Sequence, residues 1–287
     1  MMRNRAAARL LLLLLVMLTF FCACGRRELE VAKEGDIYVH FLDVGQADCT
    51  LIRTEDTVIL VDTGDTEPAT VQKIVSYLRS LDIEKVDCLV LTHPHADHIG
   101  GAATLLAEFS VRECVLPNYA EDTDLFLSLL SALESEKCAV HEAVRGASYT
   151  YGEVLLEFLS PDEYGADQPN EASAVFRAVY RRNTILFMSD TTIETEEELL
   201  RYYGADRLGA QILKLGHHGA KTSTGEKFLD VVSPKHAVAS CGTGNSYGYP
   251  HVDLVLRVLE AGVTLHRTDT DGNVVFYGNG EEFTLLN

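Results

Sequence analysis

From residue 37 onward, short apolar runs alternate with stretches whose apolar residues recur every three or four positions. Runs at 37–43, 49–53 and 58–62 are broken by Gly45-Gln46-Ala47-Asp48 and by Thr54-Glu55-Asp56-Thr57, which predicts a meander of strands. A helical period follows over 69–81, where Val71, Ile74, Val75, Leu78 and Leu81 share one face. A strand at 87–91, a helix at 101–108, a strand at 112–116 and a helix at 122–136 continue the alternation, and 138–142, with His141, reads as an edge strand. The second half repeats the scheme. Strands at 154–159, 174–180 and 184–188 lead into a helix at 194–203, a strand at 211–215, a helix at 224–232, a strand at 236–240, a helix at 253–261 and strands near 263–266 and 273–277. Alternation alone predicts one α/β domain. No internal repeat or Pro-rich linker interrupts it, and the seven prolines punctuate elements.

The first residues follow a different pattern. Arg3, Arg5 and Arg9 precede the twelve apolar positions 10–21, a charged segment and a core too short to span a bilayer comfortably. The next residues, Cys22-Ala23-Cys24-Gly25, resemble a bacterial lipobox with Cys24 as the lipidated residue, although Phe21 stands where leucine is usual. The rival reading is an uncleaved signal anchor. The expected organisation is a lipoprotein-type signal peptide at 1–23, a polar tether at 24–36 and a single domain at 37–287, anchored outside the cytoplasmic membrane.

The net charge of −19 becomes −22 once the three leader arginines go, with 21 basic against 43 acidic residues. A chain this acidic repels polyanions, so an extended nucleic-acid track is not expected. The five cysteines beyond the leader, Cys49, Cys88, Cys114, Cys138 and Cys241, sit among apolar residues at no CxxC spacing. They read as buried free thiols rather than as disulfides or thiolate metal ligands.

The chemistry concentrates at Thr92-His93-Pro94-His95-Ala96-Asp97-His98-Ile99-Gly100-Gly101, directly after the apolar run Cys88-Leu89-Val90-Leu91. Neutral imidazole and carboxylate suit zinc, manganese or ferrous iron, and a strand-to-helix turn folds several side chains onto one ion. His217 and His218 end another apolar strand, bracketed by Gly216 and Gly219, which permit close backbone approach. One of the pair would be a ligand and the other free to bond substrate, with the order left open. Lys221, Thr222 and Ser223 precede a helix and place an ammonium, two hydroxyls and helix amides where they suit a phosphate, or form an ordinary cap. Asp48 and Asp62 either orient ligand imidazoles or form turns. His40, His236 and His266 lie in strand patterns and read as structural.

The His-x-His-x-Asp-His run after a buried strand resembles the signature of the metallo-β-lactamase superfamily. His40-Phe41-Leu42-Asp43-Val44-Gly45-Gln46-Ala47-Asp48, Val61-Asp62-Thr63-Gly64, Lys214-Leu215-Gly216-His217-His218-Gly219-Ala220-Lys221-Thr222-Ser223 and Tyr247-Gly248-Tyr249-Pro250-His251 together resemble the hydrolase domain of the ComEC/Rec2 DNA-uptake (competence) proteins. The resemblance runs from about residue 37 to the end. It implies a four-layer αββα sandwich. It assigns His93 and His95 to one metal, Asp97 and His98 to a second, Asp190 to a bridge between them, and His217 or His218 to the second metal's remaining place. It makes His251 a substrate or leaving-group contact. Two departures stand out. Ser189 occupies a position where the family usually has glycine. The extra histidine that many relatives place between the motif and the bridging aspartate has only His141 as a candidate; Asn170-Glu171-Ala172-Ser173 resembles the ComEC-type Asn-x-x-Ser stretch instead, with Asn170 or water filling the place.

The expected cofactor is one or two divalent ions, zinc or manganese, and the expected reaction is hydrolysis by a metal-bound hydroxide that Asp97 orients. A phosphodiester, including short nucleic acid, is the first substrate class. Without membrane spans that would form a channel, a transport function does not carry over. A lactone, β-lactam or other acyl substrate is the alternative, mildly favoured by the acidic surface, and a non-catalytic surface binding module is the third. The complete set His93, His95, Asp97, His98 and Asp190 speaks against the last.

Overall fold

Alternating apolar positions build the chain into strands whose two faces enter different cores. The computed structural model describes residues 35–162 and 168–286; the leader-like 1–23, Cys24 and most of the tether lie outside the described residues. β1 (Ile37–Phe41), β2 (Thr50–Arg53) and β3 (Val58–Val61) form the expected meander. α1 (Pro68–Ser80), β4 (Lys85–Val90), α2 (Ala96–Ile99), α3 (Ala102–Glu108), β5 (Ser110–Leu116), α4 (Asp124–Ser135) and β6 (Ala139–Glu142) follow. The second half runs β7 (Ser148–Tyr151), β8 (Val154–Ser160), β9 (Val175–Tyr180), β10 (Asn183–Phe187), α5 (Ile193–Tyr202), α6 (Ala205–Leu208), β11 (Ile212–Lys214), a 3-10 turn at Gly216–Gly219 and α7 (Glu226–Val232). It closes with β12 (His236–Ala239), α8 (Val252–Glu260), β13 (Thr264–Arg267), α9 (Thr268–Asp271), β14 (Val274–Gly278) and β15 (Phe283–Leu285).

The eight-stranded sheet has the order β15-β14-β1-β2-β3-β4-β5-β6, and the seven-stranded sheet the order β13-β12-β11-β10-β9-β8-β7. β3 to β6 pair in parallel, as do β10 to β13, and the remaining pairs are antiparallel. Ile59, Val61 and Val90 from one sheet meet Ile185, Phe187 and Ile212 from the other in a core between the sheets. One residue out of phase, Leu60 and Leu89 pack under α1, α3 and α4, and Leu186 and Leu213 pack under α5, α7 and α8. Three cores thus separate four layers, αββα, in a single domain. Each buried side chain of this size stabilises the fold by roughly 1.5–3 kcal/mol relative to exposure.

α1 forms as its spacing predicts, with Pro68 in the first turn and Val71, Ile74, Val75 and Leu78 buried. β7, β15 and the four-residue helices α2, α6 and α9 were not expected, because segments of three or four residues carry no readable period. Among the described residues no helix is long and apolar enough to cross a membrane, and Cys49, Cys88, Cys114, Cys138 and Cys241 are buried and free.

Candidate metal centre

The parallel strands of both sheets end at one place. The loop after β4 docks against the exit of β3, where Thr63 N donates to His98 O (2.7 Å) and Gly100 N to Gly64 O (3.0 Å). A Cβ at Gly100 would lie 2.2 Å from the Asp65 backbone carbon, so only glycine permits that approach. Four residues at the strand exits, Asp62, Ser189, His217 and His218, take positive φ of 57°, 49°, 47° and 54°. The resulting sharp turns aim their side chains into the space between the sheets.

Asp190, just beyond β10, divides its carboxylate. Oδ1 lies 3.3 Å from His98 Nε2 and 3.7 Å from His218 Nε2, while Oδ2 lies 3.6 Å from His217 Nε2 and 3.9 Å from His93 Nε2. Two groups of donor atoms result, each with all its atoms within 4.8 Å: Asp97, His98, Asp190 and His218, and His93, His95 and Asp190. His218 therefore stands with the donors. His217, a quarter exposed, lies outside both groups and faces the cleft.

The outer nitrogens of the imidazoles are tied down, as metal-ligating histidines require. His98 Nδ1 lies 2.8 Å from Asp62 Oδ2, whose carboxylate also accepts from Thr92 N and Thr92 Oγ1, each at 2.8 Å. His218 Nδ1 lies 3.0 Å from Ser240 O, with Asp48 Oδ1 3.5 Å away. His93 Nδ1 lies 3.2 Å from Ser189 Oγ, and its Nε2 3.0 Å from His95 Nδ1. With Nδ1–H of His98 donating to Asp62, its Nε2 faces Asp190 Oδ1 at 3.3 Å in a buried setting, and neither atom has another hydrogen-bond partner. Such a pair is stable only with positive charge at the contact, from a proton on Nε2 or from a bound cation. The donor set therefore fits a divalent ion in each group, held by His93, His95 and Asp190 and by Asp97, His98, Asp190 and His218.

The charges agree. Burial opposes ionisation of Asp190, but His218 and His98 hold it well below the usual carboxylate range. Burial likewise works against an imidazolium at His218, yet Asp190 and Asp48 lift it to about 10, and Asp190 with Asp62 lift His98 well above its ordinary value. These are positions at which the carboxylates ask for positive charge. Asp97 is partly buried, and the His218 hydrogen bond and the charge of His98 keep it ionised.

Lys214 was not anticipated. It is 2% exposed, and its Nζ lies 2.8 Å from Asp48 Oδ2, giving the buried carboxylates a fixed counter-charge beneath His218. The signal was a lysine inside Ile212-Leu213-Lys214-Leu215, which only a buried partner explains. Gln46, Tyr247 and Tyr249 were also missed as site residues. With Asn170, His95, Asp97, Asp190, His217 and His218 they line a cleft of about 310 Å³ over the donors.

Other expected residues are placed elsewhere. Ser223 is buried, its Oγ 2.7 Å from Gly216 O and 2.9 Å from Ala220 O, so its hydroxyl braces the loop instead of meeting substrate. The amides of Thr224 and Gly225, just ahead of α7, are taken by the Glu196 carboxylate, and the helix starts at Glu226 instead of 224. Lys221 and Thr222 are exposed and are not among the side chains lining the cleft. His251 is not among them either: its Nδ1 accepts from Lys221 N at 3.0 Å, tying two loops together. His141 pairs with Glu113 at 3.4 Å in β6, away from the donors. His40 bonds Tyr77, and His236 bonds His266, as structural histidines.

A helix–sheet–sheet–helix sandwich whose strand exits present two histidine and aspartate groups sharing one carboxylate defines a metallo-hydrolase class. The chain belongs to the metallo-beta-lactamase superfamily, whose family model matches residues 42–243. Among its relatives are competence protein ComA of Neisseria gonorrhoeae, 33% identical over 250 residues that cover 86% of this chain and 33% of that protein, and ComE operon protein 3 of Bacillus subtilis, 28% identical over 262 residues with the same coverage. The chain thus spans about a third of the length of these relatives. Among solved structures, the metallo-beta-lactamase fold protein YhfI of Bacillus subtilis shares the fold at a TM-score of 0.56 and 13% identity, over 85% of this chain and all of that one. The metallo hydrolase Igni18 of Ignicoccus hospitalis does so at 0.56 and 13%, over 84% of this chain and 98% of that one.

Proposed function

We propose that this metallo-hydrolase cleaves phosphodiesters. The observation that carries the reading is the split carboxylate of Asp190, whose two oxygens serve two separate donor groups. Two divalent ions, manganese or zinc, would there acidify a water and balance charge on both the attacking and the departing oxygen, the demand that phosphoester hydrolysis makes. Asp97, with a third of its side chain exposed and one oxygen held by His218, orients the attacking water and takes up its proton. His217 Nε2 faces the cleft and donates to an oxygen of the substrate. Asp62, Ser240 and Ser189 keep the three anchored imidazoles from turning.

The test is metal content of the purified protein by elemental analysis, together with manganese- or zinc-dependent turnover of bis-p-nitrophenyl phosphate. Bound metal and turnover, both lost in His93→Ala and Asp190→Ala, support the reading. Bound metal with turnover only of nitrocefin or an acyl-homoserine lactone transfers it to acyl substrates; absence of metal and of all turnover leaves a binding module. The leader-like segment and Cys24 would place this chemistry on the outer side of a membrane, and Cys24→Ala should then release the protein from the membrane fraction.

A further inference from the structure

A column of flat rings rises from the centre to solvent. Tyr249 stacks on His218, with centroids 6.3 Å apart and planes 25° from parallel, and Tyr247 stacks on Tyr249 at 5.3 Å and 12°. Tyr247 is 63% exposed and belongs to the rim of the cleft above the metal donors. The stacking on Tyr249 orients the Tyr247 ring and leaves most of its surface exposed. Gln46 and Asn170 line the same cleft, and Gln46 Nε2 and Asn170 Oδ1 are buried polar atoms without a hydrogen-bond partner, one suited to donate and one to accept.

We infer that Tyr247 and Tyr249 form a stacking subsite for one nucleobase, next to the phosphodiester that the centre would cleave, which makes Tyr247 a specificity-determining residue. The inference rests on the phosphodiesterase reading and narrows its substrate to single-stranded ends or short oligonucleotides. Three arguments select this occupant. A ring that extends the column must be flat and joined to the group over the donors, as a base is joined to its phosphate through the sugar. A duplex hides both faces of its bases, so an unpaired base is required. The net charge of −19 disfavours a long polyanion, so a site seating one base fits the surface better than a continuous track. Stacking on an aromatic side chain tolerates every base, so the subsite distinguishes base from no base and not one base from another.

The experiment is a calorimetric titration of the manganese-loaded protein with thymidine monophosphate and with deoxyribose phosphate, in the wild type and in Tyr247→Ala and Tyr247→Phe. The expected result is about tenfold tighter binding of the nucleotide than of the sugar phosphate, a preference lost in Tyr247→Ala and kept in Tyr247→Phe. Because the chain has no tryptophan, tyrosine emission should be quenched by the nucleotide alone. Equal binding of both compounds by the wild type, or an unchanged preference in Tyr247→Ala, overturns the subsite. Turnover of a ring-free glycerophosphodiester tests the hydrolase reading separately: its cleavage together with equal binding of the two titrants removes the subsite and leaves the phosphodiesterase standing.

Discussion

The floor and the rim of the cleft are built by different rules. On the floor, His93, His98 and His218 are each held through a second ring nitrogen by a hydroxyl, a carboxylate or a carbonyl, and almost nothing there meets solvent. On the rim, Tyr247 is largely exposed and is positioned by ring stacking. Directional hydrogen bonds fix an atom to within tenths of an ångström, which metal ligation demands. Stacking fixes a plane and leaves its surface free, which suits recognition of a group whose exact identity varies.

The largest test of this contrast removes the charge that both donor groups share. Asp190→Asn should lose bound metal, seen by elemental analysis, and about a thousandfold in phosphodiester turnover, because several kcal/mol of charge stabilisation go with it. Removing a support and leaving the ligands intact has a smaller effect. Asp62→Asn should weaken metal affinity by about 10- to 100-fold in a chelator titration, while Tyr247→Ala leaves metal affinity unchanged; a shift in Tyr247→Ala would erase the distinction between floor and rim.

The region flanking the cleft supplies the next two tests. Burial raises Glu196 from 4.5 to about 7, against the partial offset of the Gly225 and Thr224 amides and Arg257. The folded state therefore holds this proton more tightly than the unfolded chain. Its contribution is fullest below pH 4.5, falls as pH rises to about 7 and is level above, a total loss on the order of 3 kcal/mol. The difference in unfolding free energy between wild type and Glu196→Gln should follow that window in denaturant titrations at several pH values. The smallest effect belongs to Ser223→Ala, which should cost about 1 kcal/mol of stability and leave kcat/KM for bis-p-nitrophenyl phosphate unchanged. A large loss of kcat/KM would return this serine to substrate binding.

The strands and the longer helices were legible because each extends over enough residues to show a period of two or of 3.6. The ligand motif was legible because His93, His95, Asp97 and His98 lie within one loop. What stayed hidden depends on distance along the chain. Nothing local shows that Glu196 occupies the amides at Thr224 and Gly225, nor that Ser223 turns inward to Gly216. The choice between His217 and His218 needed the position of Asp190, 27 residues or more away in sequence and supplied by the neighbouring parallel strand. Lys214 was visible as a charge in an apolar run, but its partner Asp48 belongs to the other sheet's loops.

Asp62, Ser189, His217 and His218 hold their chemistry in the left-handed backbone region, where a residue with a Cβ gives up about 1–2 kcal/mol. Random mutagenesis selected only for heat resistance should therefore drift toward glycine at Ser189, whose hydroxyl holds one ring, and not at Asp62 or His218, where glycine would strand buried polar partners. Ser189 lets the trade be seen in one substitution. Ser189→Gly should raise the melting temperature while freeing the His93 ring that the serine hydroxyl holds. In this protein robustness and competence for chemistry pull on the same backbone angles in opposite directions.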